Sequence, residues 1–365
     1  LYFSEETFDD FYYGKGSTYP DVNGGIGILF EQAGMLGQKL DLPRGVLSFA
    51  DAIRNHFTVS MSSIRASLEN RKELNDYQRN FFDISNEAKK DPVKGYVFGS
   101  KHTPVKTFHF LELLQDHHIE VHKLKQNYSS NENQYTPDYG YVVPLRQKQY
   151  RMIKSLFEKR TIFEDSIFYD VSAWTMPLAF DLDYDQIESQ SDLKKLTGKI
   201  VNAVEFPEGE VINGQSNIGY IIRGTYYNIH EIIYQLQKED IMVEVARRSF
   251  SVHFNGELSK FKPGTIFIPS GGQDAENKKV YNAIQRISDE RGITAIALES
   301  GLTQQGIDFG SRNFVPLNMP KIIIAAGGGV SSYSAGEIWH LLDERFRIPS
   351  VLIKPNQLSH LRLSD

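Results

Sequence analysis

A strand–helix–strand pattern occurs three times in this chain and constrains its fold more than any other feature. Each copy has a short apolar run, a polar loop, a stretch with helical spacing of apolar residues, and a second apolar run. The three copies cover residues 95–122, 219–245 and 321–353. Repeated units of this kind predict right-handed crossovers. We therefore expect an α/β fold of several domains, with parallel sheets that carry helices on both faces.

A long helical pattern precedes the first of these copies. Apolar residues recur at helical spacing from Phe57 to Ala88, and Asp91-Pro92 predicts the end of the pattern. Between the first two copies, residues 207–215 are rich in glycine and polar residues, which predicts a linker and a domain boundary near residue 210.

Composition excludes several classes of site and partner. The 365 residues carry a net charge of −6 without a dense basic stripe, which argues against nucleic acid as a partner. No apolar run reaches the length of a membrane span. The chain has no cysteine, which excludes disulfides, thiolate metal sites and cysteine nucleophiles.

Near the start of the chain, an apolar run ends in a carboxylate. Residues 26–30 are too short for a helix and are bounded by glycines, so they predict a buried strand with Glu31 at its end. A carboxylate among dry neighbours is suited to proton transfer, which makes Glu31 a candidate general base. The alternative is structural: Glu31 would cap a loop amide or pair with a basic residue.

The surrounding residues 8–17 (FDDFYYGKGS) and 27–34 (GILFEQAG) resemble the C-terminal end of zinc carboxypeptidases of the carboxypeptidase A type. The resemblance implies that Glu31 is the general base and acid and that Tyr12 or Tyr13 closes over a peptide substrate. The family's zinc ligands, in a His-x-x-Glu motif and a later His, are expected before Leu1. We therefore expect this chain alone to bind no zinc and to lack peptidase activity.

The region after residue 211 resembles the class I glutamine amidotransferase-like fold. A strand ends in Pro269-Ser270-Gly271-Gly272, and after a helix the next strand ends at Glu299-Ser300. Glu299 falls where that family has its cysteine nucleophile, so the elbow is degenerate. A Ser300 nucleophile with a histidine from elsewhere remains open, beside a domain used for packing or ligand binding.

Two further groups of residues suggest ligands. Gly327, Gly328 and Gly329 lie between a strand and a helix start, where backbone amides hold anions, although tight-turn geometry also explains them. His117, His118 and His122 suggest a metal, but a strand that places His118, Glu120 and His122 on one face explains them better. We therefore predict no metal site within the chain.

These observations give a predicted layout of four segments. Residues 1–60 would complete a carboxypeptidase-like domain, 61–90 form a connecting helix, 91–210 an α/β accessory domain, and 211–365 the amidotransferase-like domain. Residues 168–174 and 335–342 resemble accessory regions of bacterial carboxypeptidases, which implies a periplasmic or extracellular location. The alternative is a non-catalytic α/β module for ligand binding or assembly.

Overall fold

A computed structural model describes residues 13–32, 37–43, 45–130, 132–159, 175–254 and 256–360. The chain divides into two compact units. The first contains residues 1–100 and 109–204, and the second contains residues 101–108 and 205–365.

Three helices, rather than one, form the long helical region before the first sheet. The elements here are β1 (Lys39–Leu42), β2 (Gly45–Ser48), α1 (Phe49–Glu69), α2 (Arg71–Phe82) and α3 (Ser85–Lys90). A capping box starts α1, because Ser48 Oγ accepts the Asp51 amide at 3.1 Å and the Asp51 carboxylate accepts the Ser48 amide at 3.3 Å. The predicted helix is interrupted at Asn70 and again at residues 83–84. Asn is a poor helix former, which accounts for the first break.

The first unit is built on a five-stranded antiparallel sheet. Its elements are β3 (Gly95–Gly99), α4 (Pro104–Asp116, of which residues 109–116 belong to this unit), β4 (His122–Leu124), β5 (Tyr128–Ser129), β6 (Gln134–Tyr135), β7 (Gly140–Pro144), α5 (Tyr150–Phe157), α6 (Met176–Ala179), β8 (Asp183–Ile187), α7 (Gln190–Leu196) and β9 (Thr197–Ile200). The strand order is β8-β3-β7-β4-β9. Every neighbouring pair in this sheet is antiparallel.

The second unit has a six-stranded sheet with the same central arrangement. Its elements are β10 (Glu210–Ile212), β11 (Gly219–Ile222), α8 (Ile229–Lys238), β12 (Glu244–Ala246), β13 (Phe250–Phe254), β14 (Glu257–Phe261), β15 (Ile266–Pro269), α9 (Asn277–Arg291), β16 (Thr294–Ala297) and β17 (Phe314–Pro316). The strand order is β10-β16-β11-β15-β12-β17. Only the edge pair of β10 and β16 is parallel within this sheet.

The α/β composition is therefore confirmed, but the expectation of parallel sheets is wrong for both units. Strands β3 and β4 do run in the same direction, as do β11 and β12. However, β7 lies between β3 and β4, and β15 lies between β11 and β12. Each of these later strands is antiparallel to both of its neighbours and forms the backbone hydrogen bonds with them. The helix crossover thus joins strands that are not neighbours, which is a split β-α-β arrangement.

The two units repeat one topology in the same register. In each, four strands of a β-α-β-β-α-β sequence lie in the order fourth, first, third, second. Gly95 lies opposite Pro144 in the first unit, and Gly219 lies opposite Pro269 in the second. This register makes Tyr96 equivalent to Tyr220.

Each sheet has a core on both faces. Helices α4 and α5 cover one face of the first sheet, with Phe110 and Phe157 packed on Tyr96 and Phe98. On its other face, the β5–β6 hairpin and the short α7 pack on Val97. The second sheet packs α8 and α9 on one face and the β13–β14 hairpin on the other. A hairpin thus occupies much of the face where the sequence predicted helices.

The third strand–helix–strand pattern does form a parallel pair. It consists of β18 (Ile322–Ala325), α10 (Ser332–His340) and β19 (Ser350–Ile353). Strand β18 pairs with β19 in parallel register, with Ile322 opposite Ser350. This part of the sequence prediction is confirmed.

Candidate functional site

The structure does not place Glu31 at the end of a buried strand. Residues 26–32 have no regular secondary structure, and Glu31 is exposed. Phe30 is 51% exposed and Ile28 is 65% exposed, so the prediction of a buried strand is wrong for the described residues. An apolar run becomes a buried strand only when another strand and a second layer cover it, and the described residues supply neither.

Of the two tyrosines in the resemblance, only Tyr13 lies within the described residues. Tyr13 is half-buried and packs at the border of the first unit's helix-face core. Tyr12 and Gly34 lie outside the described residues. The roles of Glu31 and Tyr13 therefore stay predictions.

The three histidines do not form a ladder on one strand. His117 Nδ1 bonds with the Tyr19 hydroxyl at 2.8 Å, and burial lowers the pKa of His117. His118 has a positive φ of 57° in the turn after α4, whereas His122 is in β4 and faces the Gly198 carbonyl at 3.1 Å. The ladder prediction is wrong because the helix extends to Asp116 and a left-handed turn follows it.

Glu299 and Ser300 follow β16 at the surface of the second unit, and both are exposed. Ser300 Oγ accepts the Leu302 amide at 3.0 Å, which is a local serine turn. The register of the two units makes this pair equivalent to Glu188-Ser189 after β8. Ser189 Oγ accepts the Asp192 amide and caps α7, so a Glu-Ser pair ends the fourth strand of both units.

This repeated Glu-Ser pair was detectable in the sequence. The segments 186–189 (QIES) and 297–300 (ALES) follow equivalent strands, and aligning the two units would have shown them. In both units the serine hydroxyl accepts a backbone amide two or three residues later, which gives Ser300 a local structural role. Within the described residues, the Ser300 hydroxyl is bonded by a backbone amide and not by an imidazole.

A cleft of about 320 Å³ lies beside this turn in the second unit. It lies between the β13–β14 hairpin, the end of β16 and the loop after it. The described lining residues are Asn213, Val252, His253, Phe254, Gly256, Ile296, Ala297, Leu298, Glu299, Ser300, Leu302 and Gln304. The structure thus brings Glu299 and Ser300 together with His253, a residue that the sequence analysis did not select.

The equivalent hairpin of the first unit is tied to its sheet by a carboxylate. Asp185 Oδ2 accepts hydrogen bonds from Tyr135 at 2.6 Å, from Ser130 at 2.9 Å and from Asn133 at 3.0 Å. Burial raises the pKa of Tyr135, and the bond to Asp185 raises it further. Burial, helped by Asp181 and Asp185, also raises the pKa of Asp183. Local sequence patterns do not indicate this contact, because it joins residues 50 or more positions apart.

The three consecutive glycines lie between β18 and α10, as the sequence indicated. Gly327, Gly328 and Gly329 have φ values of 79°, 48° and 91°. Such left-handed backbone disfavours other residues, so turn geometry accounts for the glycines. Helix α10 is capped by Ser331, whose Oγ accepts the Ser334 amide at 3.3 Å. Anion binding at this loop stays a prediction.

Other kinds of site and other proteins give no further assignment. No group of three or more His, Asp or Glu side chains suited to a metal ion occurs among the described residues. Likewise, no helix in the described part of the chain is long and apolar enough to cross a membrane. Comparison of the chain with protein-family models, curated proteins and solved structures found no match.

Proposed function

We propose that the chain belongs to a zinc-carboxypeptidase-like protein, in which Glu31 is the general base and acid and the α/β regions built on the two large sheets are accessory domains. The likeness of residues 8–17 and 27–34 to that family suggested this role. The exposed apolar side chains of residues 26–30 and of helix α1 support it best.

The exposed side of α1 has the large apolar residues that are typical of a buried helix face. Helix α1 carries a stripe of large apolar residues that are each 54–65% exposed, namely Phe49, Ile53, Phe57, Ile64 and Leu68. Their spacing of four or seven residues places them on one face of the helix. Contiguous exposed apolar patches mark contact surfaces for proteins, membranes or ligands, and in this proposal a catalytic domain covers the stripe. A catalytic domain packed on α1 and residues 26–30 would also remove Glu31 from water.

The described residues do not fit a zinc site by themselves, because no suitable cluster of ligands occurs among them. In this proposal the zinc ligands come from residues outside the described part of the protein. Glu31 would then contribute only what its carboxylate can do, which is to accept a proton and return it.

The test is peptidase activity of the protein that the whole gene encodes. We expect zinc-dependent release of C-terminal residues from peptides, and we expect Glu31→Gln to lower kcat/KM by about 10²–10⁴-fold. Glu69→Gln, an exposed change at the end of α1, is the matched control and should leave kcat/KM unchanged. Full activity of Glu31→Gln would contradict the assigned role, and the absence of zinc-dependent release would contradict the proposed class.

A second candidate function is a non-catalytic binding module. The cleft beside Glu299 favours it, because its volume of about 320 Å³ is within the range of small-molecule sites.

A further inference from the structure

The walls of the cleft in the second unit are held by hydrogen bonds that need no ligand. The side-chain oxygen of Gln304 accepts a hydrogen bond from the backbone N–H of His253 at 2.9 Å. The backbone N–H of Gln304 donates to the Ser251 carbonyl at 3.0 Å. On the opposite wall, Ser216 Oγ donates to the Leu298 carbonyl and accepts the Gly219 amide. A cleft whose walls are already fixed loses little entropy when a ligand enters.

The charge of the cleft lining comes from one carboxylate. Glu299 is its only acidic residue, and no lysine or arginine occurs among the described lining residues. The Glu299 carboxylate forms no hydrogen bond or ion pair with the rest of the described chain, so it is free to accept one. A cleft with one unneutralised carboxylate favours a cation and repels an anion.

About half of the described lining of the cleft is apolar. Val252, Ile296 and Leu298 are buried and form the floor, whereas Leu302 is 68% exposed at the rim. Such a surface gains free energy when it covers an aliphatic group. The lining therefore combines one acceptor for a cation with space for an apolar body.

The cleft depends on features that distinguish the second unit from the first. The β13–β14 hairpin has strands of five residues, whereas the β5–β6 strands have two. Ile296 occupies the position of Asp185, so the second hairpin lacks the carboxylate that holds the first. The longer hairpin reaches past the end of β16 and forms a wall beside Glu299.

We propose that this cleft binds a small primary ammonium compound with an apolar body, with the ammonium group on Glu299 and the apolar body over Val252 and Leu298 and against Leu302 at the rim. The inference rests on the second candidate function, that of a binding module, and not on the carboxypeptidase-like role. Free amines and peptide amino termini share this chemistry, and the test below separates them.

The experiment is calorimetric titration of the full chain with L-leucinamide, N-acetyl-L-leucinamide and Leu-Gly-Gly amide. We expect L-leucinamide to bind and its acetylated form to bind at least about tenfold more weakly, because acetylation removes the charge that Glu299 recognises. Glu299→Gln should weaken L-leucinamide binding by about tenfold. Glu188→Gln changes the equivalent residue of the first unit and should have no effect. Binding of Leu-Gly-Gly amide equal to or tighter than that of L-leucinamide assigns the site to peptide amino termini, and weaker binding assigns it to free amines.

Three results would overturn the proposal: no binding of L-leucinamide at about 10 mM, equal binding of the acetylated compound, or equal losses in Glu299→Gln and Glu188→Gln. Leu302→Ser provides a second variant at the exposed rim, where folding is unaffected. We expect it to weaken both leucine compounds to the same degree, and unchanged binding would contradict the apolar part of the proposed site. Peptidase activity is not measured in this experiment, so its failure is distinct from failure of the carboxypeptidase-like role.

Discussion

The two units share the order and register of their four central strands, but the hairpin on each sheet is held by different contacts. In the first unit, Asp185 on the fourth strand accepts three side-chain hydrogen bonds from the β5–β6 hairpin and its turn. In the second, Ile296 stands at that position and packs in an apolar cluster with the β13–β14 hairpin. A polar contact thus fixes one hairpin onto its sheet, whereas the other is longer and leaves a cleft. The hairpin face of the sheet is therefore closed in the first unit and has an open cleft in the second, although the fold is the same.

Removal of the Asp185 carboxylate should give the largest loss of stability. Asp185→Ala leaves three part-buried donors without their acceptor, which should lower the free energy of unfolding of the first unit by about 3 kcal/mol. Urea unfolding followed by circular dichroism measures this loss. Ile296→Val is the matched change in the second unit and should cost about 0.5–1.5 kcal/mol. Equal effects of the two variants would contradict the difference between the hairpins.

The equivalent tyrosines of the first strands should respond in opposite directions. The Tyr220 hydroxyl accepts the Ser216 amide at 2.9 Å, whereas the buried Tyr96 hydroxyl has no hydrogen-bond partner among the described residues. Tyr220→Phe should lower the free energy of unfolding by about 1–2 kcal/mol, because it leaves a buried amide unpaired. Tyr96→Phe should be neutral or stabilising by up to about 1 kcal/mol, because it removes an unpaired hydroxyl. A larger loss from Tyr96→Phe than from Tyr220→Phe would contradict this assignment in urea unfolding.

The smallest effect is a pH dependence confined to the first unit. Burial acts to raise the pKa of Asp91, but bonds from Tyr150, the Val93 amide and Lys154 outweigh it and hold the pKa below its ordinary value of 3.8. The unfolded chain therefore takes up this proton first as the pH falls. The contribution of Asp91 is fully present above its ordinary pKa and is lost as the pH falls through the folded value. Residue 215, at the equivalent place in the second unit, is the neutral Gln215.

Asp91→Asn should therefore flatten the decline in Tm of the first unit below about pH 4. Gln215→Glu in the second unit is the control, since it adds a carboxylate without these three partners. An unchanged acid profile in Asp91→Asn would show that Asp91 does not contribute. Differential scanning calorimetry across the acid range measures both variants.

The elements themselves were largely predictable from the sequence, because helical spacing and short apolar runs are local signals. The helices around Leu114 and Ile232 and the strands that begin at Gly95 and Gly219 follow from these signals. Pairing direction is not local. Strands β7 and β15 have apolar runs like those of their neighbours. Nothing in the spacing of those runs shows that each strand lies between two others and is antiparallel to both.

The candidate site was less predictable than the fold. Glu299 and Ser300 were identified, but the cleft also needs His253 and Gln304 from separate elements. The role of Asp185 could not be predicted, because its partners lie 50–55 residues away and no local pattern links residues so far apart. Residues 26–30 differ from the prediction for another reason. Their apolar run predicts a buried strand, but the described residues do not cover it.

Hydrogen exchange on the wild-type chain and on Asp185→Ala tests the difference between the two units most directly. The account predicts that residues 128–135 lose protection in the variant while residues 250–261 keep theirs, because the Asp185 carboxylate contacts only the first of these hairpins. Unchanged protection of residues 128–135 would show that Asp185 does not hold the hairpin on the sheet. That result would contradict the account of how one fold gives a closed unit and an open one.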